Sequence, residues 1–198
     1  MPTINSVVLK DKAVLATCDS YDTETFTMTV SDNALVSHFD ISCSTGELNV
    51  SKNAQVTGTV AVTSKMYLNA SNSAQVSLTQ NGGNAFVSQA NSAYVDFKAT
   101  LNTLEVESAG GSESHISGTA SLLKVTGAGL SRVDAELLES KDGDVVLSGS
   151  AKCHANVTDH LKVNLVGGSM LTFKRNPVFE IDRIVNSTLI KADDAKRK

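Results

Sequence analysis

One short phrase recurs along this chain about every twenty residues: a small residue, any residue, an apolar residue, then a polar one. It reads Ala34-Leu35-Val36-Ser37, Ala54-Gln55-Val56-Thr57, Ala74-Gln75-Val76-Ser77 and Ala93-Tyr94-Val95-Asp96. Further copies are Ser114-His115-Ile116-Ser117, Ser131-Arg132-Val133-Asp134, Cys153-His154-Ala155-Asn156, Ser169-Met170-Leu171-Thr172 and Ser187-Thr188-Leu189-Ile190. A fixed period with variable spacing between later copies reads as a repeat architecture whose insertions sit in turns.

Around each apolar anchor the pattern alternates with period two, as in a strand with one buried face. A second short strand precedes each phrase, for example Met66-Tyr67-Leu68, Ala85-Phe86-Val87 and Leu123-Lys124-Val125. Its last apolar residue lies six positions before the small residue in most copies. Leu104-Glu105-Val106 lies two positions farther away, and Ala109-Gly110-Gly111 marks the expected insertion. Identical two-strand units stack as parallel coils, each strand bonding to its equivalent one coil away. The expected fold is therefore all-β: a single-stranded parallel β-helix of about nine coils with about 20 residues each. Interior columns of Val, Ile and Leu suit a chain with 41% apolar residues but only 5% aromatics and no Trp. A helical repeat fits poorly, because the period is two and β-branched residues abound.

The 198 residues are read as one domain, 1–198, with 1–30 as an N-terminal cap and 191–198 as a charged tail. The net charge of -4 and the lack of a basic patch with interleaved aromatics exclude nucleic acid as an expected partner. No apolar run approaches the ~18 residues of a membrane span. The opening Met1-Pro2-Thr3-Ile4-Asn5 lacks the basic and apolar stretches of a secretion signal, which leaves a cytoplasmic location open. Three cysteines give no paired framework. Cys153 is read as a buried small hydrophobe in the small column of the repeat, and a Cys18–Cys43 pair stays open.

Polysaccharide lyases and hydrolases also use parallel β-helices, so carboxylates on one face matter. In this register Asp96 and Asp134 lie two coils apart with Ser117 between them, about 10 Å by strand spacing. No general acid or Arg accompanies them, so no catalytic residue is assigned. His115 and His154 share another outward column across the coil of Arg132. At about 10 Å they cannot share a zinc ion. Neither a metal site nor a cofactor is expected. Exposed aromatics would be needed for stacking on sugars, and Tyr67, Phe86 and Tyr94 fall on outward positions. With Asp96 and Asp134 they are the candidate surface ligand-binding residues.

The stretch from about Ser114 onward resembles the "putative auto-transporter adhesin, head GIN domain" family of bacterial β-helix proteins. Ala128-Gly129-Leu130-Ser131-Arg132-Val133-Asp134-Ala135, the run Leu161 to Ser169 and Leu171-Thr172-Phe173-Lys174-Arg175-Asn176-Pro177 carry the likeness. Family members show serial "SGASxVxA" units and a Gly-Asn-Pro turn, where this chain has Arg175 in place of the Gly. The resemblance implies a right-handed coil, a place in the cell envelope or outside the cell, and no assigned reaction. The expected function is thus a non-enzymatic structural or adhesin-like module, its partner a surface glycan or protein. A polysaccharide-binding or polysaccharide-degrading β-helix is the alternative. Outward Leu35, Met170 and Val146 add a homo-oligomeric scaffold as a third expectation.

Overall fold

The computed structural model describes residues 3–192, apart from the side chain of Cys18. Residues 193–198 of the charged tail and the Cys18–Cys43 pairing lie outside the described residues. Thirteen strands run in order through these residues. They are β1 (Ser6–Leu9), β2 (Val14–Val30), β3 (Leu35–Ser51), β4 (Gln55–Asn72), β5 (Gln75–Asn81), β6 (Asn84–Asn91) and β7 (Tyr94–Ser108). They continue as β8 (Glu113–Gly127), β9 (Arg132–Leu147), β10 (Lys152–Val166), β11 (Met170–Lys174), β12 (Val178–Val185) and β13 (Thr188–Lys191). Every pairing among them is parallel.

The result is a β-solenoid of about ten turns with ~19 residues per turn. Each turn sits on the one before it because identical segments bond most easily to their own equivalents. In β7 the inward residues are Val95, Phe97, Ala99 and Leu101. The phase then changes at the bend, and Leu104, Val106 and Ser108 point inward. One continuous apolar core fills the tube from Leu9 to Phe173. Each buried Val or Leu contributes about 1.5–3 kcal/mol relative to an exposed one.

The rungs align more evenly than the recurring phrase suggests. The anchor column is Leu15, Val36, Val56, Val76, Val95, Ser114, Val133, Cys153, Leu171 and Leu189. Two turns were expected two residues out of step: Ser114 and Cys153, not Ile116 and Ala155, stand in this column. From Val95 onward the spacings become 19, 19, 20 and 18. Accordingly Val106 pairs with Val87 and Val125, and no insertion lies at Ala109-Gly110-Gly111. The small column is Ala93, Ser112, Ser131, Ala151 and Ser169 through these turns, each carbonyl accepting a hydrogen bond from the next turn.

A second column explains the turn residues. Asp11, Asp32, Lys52, Asn72, Asn91, Gly110, Gly129 and Gly149 all have φ between 59° and 73°, the left-handed region where Gly, Asn and Asp are least disfavoured. The residue after a member donates its N–H to the carbonyl of the member one turn before, as in Gly111 N–H to Asn91 O and Leu130 N–H to Gly110 O. Outside the tube, Asn69 donates to Asn49 Oδ1 at 2.9 Å and Asn91 to Asn72 Oδ1 at 3.1 Å.

Within the segment read as an N-terminal cap, β1 and β2 pair in parallel with their neighbours, with register shifts around Ala16. β1 pairs with Thr27 to Val30, and Ile4, Val7, Leu15 and Tyr21 pack against the core at this end. At the other end every residue of β12 is exposed, although Phe179, Ile181 and Ile184 extend the columns of Leu161, Val163 and Leu165. Of the outward apolar residues, Leu35 and Val146 are exposed, while Met170 is half-buried.

Cys153 packs beside Val133 and Leu171, and its thiol is pushed up to about 12, mainly by burial and secondarily by the charge of Asp134. A thiol held neutral is a poor nucleophile. Alkylation at pH 8 followed by site-resolved mass spectrometry is expected to leave Cys153 unmodified until the chain is unfolded. Labelling of native protein on the minute scale would contradict this burial.

Candidate functional site

The corrected register puts acidic and imidazole side chains in one outward column. Ser77, Asp96, His115, Asp134, His154 and Thr172 follow one another on successive turns. His115 therefore stands between Asp96 and Asp134, where Ser117 was expected. Asp134, not Arg132, stands between His115 and His154. The adjacent outward column runs Gln75, Tyr94, Glu113, Arg132 and Lys152.

These two columns form a charged web. His115 Nδ1 lies 4.0 Å from Asp134 Oδ2 and its Nε2 3.3 Å from Glu113 Oε1. Arg132 reaches both carboxylates, with Nε 3.6 Å from Glu113 Oε1 and Nη2 3.7 Å from Asp134 Oδ2. From the next turn His154 Nδ1 approaches Asp134 Oδ1 to 3.8 Å. The Tyr94 ring tilts over the His115 ring with centroids 5.6 Å apart. Burial, with help from Asp96 and Glu113, pushes the Tyr94 phenol up, so it stays a neutral hydrogen-bond donor at ordinary pH.

A bulge shapes this face. β9 carries one extra residue against β8, between His115 and Ser117, and three extra against β10, between Ala155 and Asn156. Bulges bend a strand and re-aim its side chains. Here Glu136 turns toward Asp134, and its backbone N–H donates to Asp134 Oδ1 at 3.2 Å. Leu137 is thrown out to 69% exposure while Leu138 drops into the core. Beside the bulge lies a concavity of about 460 Å³ whose walls include Tyr94, Asp96, His115, Ser117, Asp134 and Glu136. That volume is in the range that holds a small ligand.

Donor atoms of Asp134, Glu136 and His154 all lie within 4.8 Å of one another. Lys174 Nζ, arriving from β11, sits 2.7 Å from Glu136 Oε1.

Of the five residues read from the sequence as ligand-binding, the structure gathers Tyr94, Asp96 and Asp134 around this concavity. Tyr67 and Phe86 lie elsewhere, on neighbouring rungs of the second strand, with ring centroids 6.3 Å apart. Lys65 Nζ caps them at 4.6 Å and 5.6 Å from their centroids, so these aromatics have a cation on one face already. Their column continues as Glu105, Lys124, Asp144, Lys162 and Glu180, a ladder of alternating charge. Its last step is closed by Lys162 donating to Glu180 at 2.8 Å. Glu136, and the placing of both histidines beside Asp134, were missed. The even spacing of the turn residues Asn72, Asn91, Gly110, Gly129 and Gly149 was the signal that could have found them.

Comparison with known proteins gives one finding: a family model described as "Putative auto-transporter adhesin, head GIN domain" matches residues 10–177. No curated protein and no solved structure matches the chain. Among the described residues, no helix is long and apolar enough to cross a membrane.

Proposed function

The chain belongs to the "putative auto-transporter adhesin, head GIN domain" family, and from that membership we propose that it is a non-enzymatic, adhesin-like module of the bacterial cell surface. Its partner is a hydroxyl-rich polymer, a surface glycan, held along the concavity at Tyr94, Asp96 and His115. The observation that supports this reading most is the juxtaposition of an exposed aromatic ring with a carboxylate and an imidazole on adjacent rungs. Apolar sugar faces stack on aromatic rings, and sugar hydroxyls bond to carboxylates. A ladder spaced by strand separation, ~4.8 Å, can meet repeating groups of an extended polymer several times over.

The test is a glycan array, followed by titration of the best-bound polysaccharide. The wild-type chain is expected to bind at least one class of polymer. Tyr94→Ala combined with Asp96→Asn should weaken that binding at least tenfold while the melting temperature moves little, since both side chains are exposed. Tyr67→Ala serves as the control from the other face.

The enzymatic alternative has its own readout. Asp96 and Asp134 flank His115, so depolymerisation of a polysaccharide, abolished by Asp96→Ala or Asp134→Ala, would replace the adhesive reading with a catalytic one.

A further inference from the structure

We propose that Asp134, Glu136 and His154 form a binding site for a first-row divalent transition metal, with Zn²⁺ the best match. The site borders the concavity of the proposed glycan contact, but it does not rest on that reading. Two features of the backbone build it. Parallel pairing sets His154 directly beside Asp134 on the next turn, and the bulge after Ala135 turns Glu136 onto the same pair. Without the extra residues of β9, the residue following this rung would continue down the strand and no third donor would converge.

The donor chemistry selects the ion. One imidazole nitrogen with two carboxylates is a poor cage for Ca²⁺ or Mg²⁺, which favour all-oxygen shells. Zinc accepts this mixture, with nitrogen and oxygen at about 2.0–2.2 Å. Donors already within 4.8 Å of one another need only side-chain adjustment to close on such an ion. All three side chains are partly exposed, between 21% and 31%, and so retain that freedom.

Two cationic side chains border the three donors. Lys174 Nζ lies 2.7 Å from Glu136 Oε1, so a bound ion would compete with this ion pair for the carboxylate. Arg132 Nη2, at 3.7 Å, is the other cation near Asp134. Three protein donors also leave coordination positions open, and two of the three, Asp134 and Glu136, line the concavity. An ion there could meet an oxygen ligand entering the concavity. His115 is not one of the three donors, and its Nδ1 lies 4.0 Å from Asp134 Oδ2.

The experiment is calorimetric titration of tag-free protein with Zn²⁺, and with Co²⁺ followed by visible absorption. One equivalent per chain is expected. His154→Gln and Glu136→Gln should each weaken binding at least tenfold, with circular dichroism showing both variants folded. His160→Gln, which alters the exposed pair with Asp142 on another part of the turn, should bind like wild type. Absence of saturable binding by folded wild-type protein, or wild-type affinity in both site variants, would overturn the proposal.

Discussion

Gly118→Ala is expected to destabilise the solenoid by on the order of 3 kcal/mol or more. Gly118 has φ of 112°, well outside the region open to an L side chain. A methyl group there would stand 1.9 Å from the carbonyl oxygen of Ala99, and 2.9 Å from its carbon. The obstacle is backbone of the preceding rung, held by parallel pairing on both sides, so it cannot swing away. The position follows the place where β8 meets the extra residue of β9, and the unusual backbone is how β8 absorbs that mismatch. Gly111→Ala is the matched control: its added methyl would meet nothing closer than 3.5 Å, at the Asn91 carbonyl. Urea denaturation of the two variants checks the claim, and equal midpoints for both would refute it.

The other large effect concerns a ring and the space that admits it. Phe39 is buried, stacks on Phe26 with centroids 6.2 Å apart, and covers Gly58 on the next turn. A methyl at Gly58 would lie 2.1–2.7 Å from three carbons of that ring. Phe39→Ala is expected to cost about 3–5 kcal/mol through lost contact and the cavity left behind. Gly58→Ala is expected to cost about 1–3 kcal/mol through overpacking. Combined, they should cost less than their sum by about 1 kcal/mol or more, since the new methyl enters the emptied space. A double-mutant cycle in urea measures this coupling, and additivity within about 0.5 kcal/mol would show that the ring does not fill the space above Gly58.

Much of the architecture could be read from residue order, because the anchors Val36, Val56, Val76 and Val95 repeat with near-constant spacing and the same inward phase. The register then slipped at two turns, for a physical reason. A one-residue slip exchanges inside for outside and announces itself at once, whereas a two-residue slip keeps every side chain on its own face. Ser114 and Cys153 stand where an aliphatic residue is usual, and Ile116 and Ala155 are equally inward two positions on. Aliphatic content therefore pointed to the wrong rung.

The slip hid the site. It moved His115 and His154 out of the Asp column and placed Ser117 and Asn156 there instead. The bulge at Glu136 was illegible for a different cause: it depends on both neighbouring turns being shorter at that point, which no local pattern in β9 records.

Because every turn offers its successor the same hydrogen-bonding template, the molecule's reach can change by whole increments. Duplicating or deleting nineteen or twenty residues would lengthen or shorten the solenoid by ~4.8 Å while leaving the remaining turns unaltered. A lineage built this way can change the length of the tube in steps of one turn without redesigning any one face.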